Sequence, residues 1–157
     1  MTAWTMAGLF TFEAARSHGV DDYASGALPF VTSTLQNNGV VGFVTPLLGD
    51  KIFDGPALAI SGLGQATVQP DRFLPKGNGG DSITVCRPIS AVTMAELISI
   101  AAAFNYLHSW RFSYGRKCSP GRIRDLRIPS DLPSIADNWA DEALQLTHLT
   151  KALARLT

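Results

Sequence analysis

Asparagine, glycine and proline punctuate the first ninety residues so densely that only short apolar runs survive between them. Residues 27–33 and 40–45 are two such runs, rich in β-branched side chains, with Gln36-Asn37-Asn38-Gly39 between them. Asn-Gly supplies the positive φ angles of a tight turn, so the two runs are expected to pair as a hairpin. Residues 57–61, 66–69 and 82–87 are further strand candidates, bounded by Gly62-Leu63-Gly64, by Pro70 and Pro75, and by Gly77-Asn78-Gly79-Gly80. Short strands in this number imply a twisted sheet, antiparallel or mixed. Residues 8–16 fit either a short helix or a strand.

Thr93-Met94-Ala95-Glu96 forms a capping box, in which the threonine hydroxyl and the glutamate side chain satisfy each other's free backbone amides. Met94, Leu97, Ile98, Ala101, Phe104 and Leu107 follow at three- and four-residue steps, which predicts a helix over 93–107 packed on the sheet. A loop with Gly115, Pro120 and Gly121 as breakers comes next, and residues 126–128 make one more short strand before Pro129 and Pro133. A last helix is expected from Ser134. Trp139, Leu146 and Leu153 recur every seven residues, with Glu142, Leu149 and Leu156 three places after each, a heptad seam interrupted once by Glu142. At about 23 residues that helix would be about 35 Å long, and its stripe is covered either by a partner helix or by the sheet of its own domain. The fold class is therefore α+β: a twisted mixed or antiparallel sheet with packed helices over residues 1–132, and a C-terminal helix over 133–157.

Apolar residues make up 46% of the 157-residue chain and charged residues 17%, the latter below the usual figure of about 25%, which excludes a disordered or collagen-like chain. The longest uncharged stretch, 23–49, is broken by prolines, glycines and amides, and 97–110 is too short to span a bilayer, so no membrane segment is expected. No basic residue precedes Arg16, so no signal peptide is expected and the protein is placed in the cytoplasm. Cys86 and Cys118 have no metal-ligand spacing and are expected to be buried thiols.

Net charge is zero, yet its distribution is uneven. Residues 1–110 hold five basic and eight acidic side chains, 111–127 hold six basic and one acidic, and 128–157 hold two and four, giving −3, +5 and −2. Seventeen residues thus concentrate nearly half the positive charge, the electrostatic outlier of the chain.

Enzyme chemistry finds no constellation. Gly62-Leu63-Gly64 lacks the third glycine and following helix of a dinucleotide fingerprint, and Gly77-Asn78-Gly79-Gly80 lacks the lysine and hydroxyl of a phosphate loop. His18, His108 and His148 show no metal spacing, and no cofactor is implied. What remains is Trp110-Arg111-Phe112-Ser113-Tyr114-Gly115-Arg116-Lys117 followed by Arg122 and Arg124. Cations interleaved with aromatics on a glycine-containing loop can grip phosphates and pack rings against sugars and bases; a solvated basic loop is the plain alternative. A second polar surface is Thr32-Ser33-Thr34-Leu35-Gln36-Asn37-Asn38, whose amides and hydroxyls can read base edges, although turn formation alone would also explain the two asparagines.

Residues 26–34 (Gly-Ala-Leu-Pro-Phe-Val-Thr-Ser-Thr), 37–44 (Asn-Asn-Gly-Val-Val-Gly-Phe-Val), the strand and glycine turn of 60–64, Phe112-Ser113-Tyr114-Gly115-Arg116-Lys117 and Ile128-Pro129 resemble, in order and spacing, the target recognition domain of type I restriction-modification specificity subunits. The resemblance covers residues 9–129, about three quarters of the chain. It implies a module that binds double-stranded DNA, for which the two polar surfaces above offer Thr32, Ser33, Thr34, Gln36, Asn37, Asn38, Arg111, Tyr114, Arg116, Lys117, Arg122 and Arg124 as candidate contacts. It also implies a methyltransferase subunit as partner, and no catalysis of its own. Specificity subunits of this family usually carry two such domains joined by long helices, whereas this chain has one domain and one short helix. It looks like a half subunit, two copies of which would pair through Trp139, Leu146, Leu149, Leu153 and Leu156 as a homodimer. The alternative is a protein-interaction or decoy module that keeps the fold without reading DNA.

Overall fold

The computed structural model describes residues 2–132. Turn chemistry cuts this part of the chain into β1 (Ala3–Thr5), α1 (Met6–Leu9), β2 (Phe10–Ala14), β3 (Ser25–Val31), β4 (Val40–Val44), β5 (Ala57–Ile60), β6 (Ala66–Gln69), β7 (Leu74–Pro75), β8 (Thr84–Pro88), α2 (Met94–His108), α3 (Pro120–Ile123) and β9 (Arg127–Pro129). The five strands expected between residues 27 and 87 all form, each within two residues of its expected ends. The ambiguous segment 8–16 is both things in turn: the end of the one-turn helix α1, then β2. The final helix expected from Ser134, with its seam, lies outside the described residues.

The strands do not form one continuous sheet. β2, β8, β5 and β6 form a four-stranded antiparallel sheet in that order; β4, β3 and β7 form a second, mixed because β7 runs parallel to β3; β1 pairs with β9. The division follows from burial on both faces of β5, whose four residues are all buried. Leu58 and Ile60 join Phe10, Cys86, Leu97, Ile100, Phe104, Ile123 and Ile128 on one side, while Ala57 and Ala59 join Val31, Phe53, Phe73, Ile83 and Val85 on the other. A strand covered on both faces reads as an unbroken apolar run instead of an alternating one. Thus α2 covers one face of the four-stranded sheet, and side chains of β3 and the strand-like segments around Phe53 and Phe73 cover the other.

The capping box forms as expected: the Glu96 backbone N–H donates to Thr93 Oγ1 at 3.2 Å, and the Thr93 N–H donates to Glu96 Oε2 at 2.7 Å. These hydrogen bonds from Thr93 hold the Glu96 carboxyl below its usual pKa. The packed stripe of α2 is shifted from the one expected. Leu97, Ala101 and Phe104 are buried, but Ile100 and His108 join them, while Met94 and Ile98 stay 38% and 37% exposed. The helix lies on β5 and β6, turned so that these two side chains line a shallow groove facing Leu35, Asn38 and Val68. Cys86 and Cys118 are buried free thiols, and burial pushes the Cys118 pKa up to about 12.

Candidate nucleic-acid interface

The connection from β3 to β4 is wider than a two-residue hairpin. Thr32 N–H closes it on the Gly39 carbonyl at 2.9 Å, and three consecutive residues turn in the left-handed region: Asn37 (φ 48°), Asn38 (φ 55°) and Gly39 (φ 81°). Asparagine tolerates this region better than other side chains and glycine enters it without penalty, which is why Asn-Asn-Gly sits here. The result is an arch over residues 32–38 with Leu35, Gln36 and Asn37 exposed at its crown and Asn38 at its second foot.

Polar side chains hold both feet of the arch. Ser33 Oγ donates to the Asp81 carbonyl at 2.8 Å, tying the first foot to the β7–β8 turn. Asn38 turns both ends of its amide to β6: Oδ1 accepts from Val68 N–H at 3.2 Å, and Nδ2 donates to the Val68 carbonyl. Gln69 Nε2 adds a bond to the Asn38 carbonyl at 2.9 Å. Within the arch, Thr34 Oγ1 accepts from the Gln36 N–H at 3.1 Å. The side chains of Gln36 and Asn37 make no hydrogen bond to the described residues.

The basic loop is anchored by apolar contacts. Phe112 and Cys118 are buried at either end of it, and Ser113 and Arg116 exchange backbone hydrogen bonds of 3.1 and 3.0 Å across Tyr114-Gly115. A Cβ at Gly64, whose φ is 77°, would collide with the Phe112 ring, so the β5–β6 turn needs glycine there to accept the loop. Cys118 N–H donates to the Gly62 carbonyl at 2.7 Å, and Gly62 in turn packs against Gly80 and Asp81. Gly62-Leu63-Gly64 and Gly77-Asn78-Gly79-Gly80 are expected from sequence to be turns, and turns they are. Their placement brings arch and basic loop to one end of the fold.

Electrostatics separate this end from the rest. Away from this end Lys51 and Arg87 pair with Glu13 and Arg72 pairs with Asp54, while Arg16 has no carboxylate partner among the described residues; at this end Lys76 pairs with Asp81. Among the described residues, none of Arg111, Arg116, Lys117, Arg122, Arg124 and Arg127 pairs with a carboxylate. Among the described residues these cations therefore meet no carboxylate at ion-pair distance, and only the Lys117 charge acts on one, that of Asp81. Lys117 Nζ lies 4.3 Å from the centroid of Tyr114, which is 83% exposed, and the Arg111 guanidinium lies 4.7 Å from that of Trp110. Cation–π contacts of this kind keep a charge in place without cancelling it.

The expected residues do not all stand together. Ser33 and Lys117 meet at the β7–β8 turn, where the Lys76 hydrogen bond holds the Asp81 carboxyl below its usual pKa, burial opposes this, and the charges of Lys76 and Lys117 add to the lowering. Arg122 Nη1 donates to the Lys117 carbonyl at 2.6 Å, so α3 is tied to the loop. Arg111 sits at the end of α2, its Nε donating to Nδ1 of the buried His108 at 3.2 Å. Burial lowers the His108 pKa, the neutral ring donates from Nε2 to the Arg127 carbonyl at 2.8 Å, and this leaves Nδ1 to accept from Arg111. Arg124 follows α3 with its side chain exposed, and its backbone carbonyl accepts from Ala7 N–H of α1 at 2.8 Å. Lys76 and Asp81 shape this end and Asn105 the neighbouring β6 edge, none of them a candidate from sequence, and His108 stood out there only as a histidine without metal spacing. Asn105, an amide inside a helix where alanine would be better, was the one visible signal.

No protein-family model matches the chain, and no curated protein does. Among solved structures, it is similar to the type-I restriction-modification system S subunit from M. genitalium, with a TM-score of 0.61 at 13% sequence identity. The two share a fold. The similarity covers 97% of this chain and 44% of that S subunit, so the chain spans less than half its length. The α+β class is that of the S subunit, and the target-recognition-domain resemblance holds at the level of the fold. Among the described residues no helix is long and apolar enough to cross a membrane, and no group of three or more His, Cys, Asp or Glu side chains could hold a metal.

Proposed function

We propose that this chain is a sequence-specific DNA-binding subunit, or half subunit, of a restriction-modification assembly, working in the cytoplasm without catalysis of its own. The observation that carries the reading is the meeting, at one end of an S-subunit fold, of a polar arch and a basic loop whose cations form no ion pair among the described residues. In this reading Arg116, Lys117, Arg122 and Arg111 engage phosphates, Tyr114 packs against sugar or base, and Gln36 and Asn37 read base edges. Phosphate contacts set position, and only the base contacts carry sequence information. Double-stranded DNA and a methyltransferase subunit are the partners. The seam of Trp139, Leu146, Leu149, Leu153 and Leu156 would serve either the methyltransferase or a second copy.

Fluorescence anisotropy against random-sequence duplex at low salt, followed by selection from a randomised library, tests the reading with and without the partner methyltransferase. Binding that weakens steeply with salt and enriches one sequence supports it. A folded chain that associates with the methyltransferase yet ignores DNA in every condition is the decoy module, a reading favoured by the zero net charge. For assembly, Leu149→Asp places a charge at the seam's centre, so sizing chromatography should show loss of the partnered state while the domain stays folded. A monomer before and after, with a sharply lowered melting temperature, means the stripe belongs to the chain's own core.

A further inference from the structure

β6 is the outer strand of the four-stranded sheet, so Ala66 and Val68 turn their backbone N–H and C=O groups away from β5, along an edge that no strand pairs with. A strand edge left unpaired is a template for pairing with another chain. Here both residues are already satisfied, each by one asparagine amide. Asn105 of α2 accepts from Ala66 N–H at 2.7 Å and donates to the Ala66 carbonyl at 2.8 Å. Asn38 of the arch does the same for Val68, two residues on. The two side chains imitate the alternate residues of a missing neighbouring strand.

From this geometry we infer that Asn38 is a positioning residue for DNA reading, not a base-contacting one: it fixes the arch to the β6 edge so that Gln36 and Asn37 are held at a set height and angle. The inference rests on the DNA-reading function proposed above and assigns its parts. Oδ1 and one of the two N–H groups of the amide are engaged on Val68, which aims the amide at β6, and Asn38 is exposed, so these bonds must outcompete water to be kept. Its neighbours Gln36 and Asn37 keep theirs free of bonds to the described residues. With Ser33 bound to Asp81 at the other foot, Asn38 makes the arch a two-point support. Side chains held within about half an ångström of productive geometry discriminate, whereas the same side chains on a loose loop bind without selecting. Asn105 fastens α2 to the same edge but holds no part of the arch, which makes it a natural control.

Asn38→Gly separates the clasp from the turn, because glycine adopts φ 55° freely and only the amide is lost. The unaltered chain is measured first, for its ratio of affinity towards the selected sequence over mixed-sequence duplex. Asn38→Gly should lower that ratio about tenfold, the worth of one base contact, while mixed-sequence affinity stays within about twofold. Hydrogen exchange of the Val68 amide should accelerate while Ala66 remains protected; Asn105→Ala should reverse that pattern and leave the selectivity ratio unchanged. Equal losses on selected and mixed DNA, an unchanged ratio despite fast Val68 exchange, or unchanged Val68 exchange would each overturn the assignment and leave the DNA-binding function standing. An unaltered chain that selects no sequence overturns both.

Discussion

The arch at residues 32–38 and the basic loop at 111–124 lie at the same end of the fold, yet they are held by opposite means. The arch carries almost no apolar anchor and is fastened by Ser33 and Asn38 through directional hydrogen bonds to Asp81 and Val68. The loop is fastened by Phe112, Cys118 and Ile123 sunk into the core, and its charged side chains are left to the solvent. Hydrogen bonds to distant backbone fix direction, while burial fixes a segment in place and leaves its outer side chains to local contacts such as Lys117 on Tyr114 and Arg122 on the Lys117 carbonyl. A surface that reads bases needs the former. One that holds a phosphate backbone, whose charge is spread along its length, is served by the latter.

The largest effect that would break this contrast comes from the loop's anchor. Phe112 is 8% exposed and seated on Gly64. Phe112→Ala should cost about 3–5 kcal/mol of stability, the usual loss for emptying a buried aromatic site. Urea denaturation measures it. A loss below about 1 kcal/mol would mean that the loop is not anchored through the core and that the contrast is false.

Next comes the arch. Gln36→Ala should shift the preferred DNA sequence by about 1–3 kcal/mol of discrimination at one base position and leave mixed-sequence affinity nearly unchanged. For Asn37 the informative change is to glycine, since a bulkier residue would strain at φ 48° and confuse reading with turn formation. Library selection with each variant checks this; an identical selected sequence would show that the crown side chains do not read.

In the loop, Arg116→Ala with Lys117→Ala should weaken binding to all sequences alike. The slope of log affinity against log salt should fall by about 0.9 for each phosphate that the protein no longer neutralises. A selective weakening on one sequence, with the slope intact, would reverse the division of labour between the two regions.

How far the sequence disclosed these two regions differs for a physical reason. Asn37-Asn38-Gly39 and Thr93-Met94-Ala95-Glu96 announce local geometry, because a left-handed turn and a helix start are decided within four residues. The strands around Phe30, Leu58 and Val85 were legible from apolar runs between breakers. What was not legible is what depends on partners distant in sequence. Asn38 meets Val68, thirty residues on, and Ser33 meets Asp81, forty-eight on, so neither could be told from a solvent-facing polar residue. The split into two sheets was hidden for the same reason: β3 pairs parallel with β7 across more than forty residues. The exposure of Met94 and Ile98 depends on which way α2 turns on β6, and a three- and four-residue pattern leaves that rotation open.

The smallest expected effect concerns Asp81, the residue that both regions touch. Its carbonyl takes Ser33, its carboxylate takes Lys76 at 2.7 Å, and the Lys117 charge reaches it. Its folded pKa lies below the ordinary 3.8, so the pair's stabilisation is fully present above that unfolded value and is lost as the pH falls through the folded one. The pair is 25% and 30% exposed, and solvent screening keeps its worth below about 1 kcal/mol. Asp81→Asn should therefore lower stability slightly at pH 7, with the difference from the unaltered chain vanishing in acid below pH 3.8. DNA affinity should move the opposite way: removing a negative charge beside Lys117 should tighten mixed-sequence binding by less than about 1 kcal/mol at low salt, and the gain should fade as salt rises. Because the substitution keeps the Asp81 carbonyl and hence the Ser33 bond, sequence preference should not change. A changed preference would mean that the arch depends on the carboxylate as well as the backbone, and the two regions would then be one electrostatic unit.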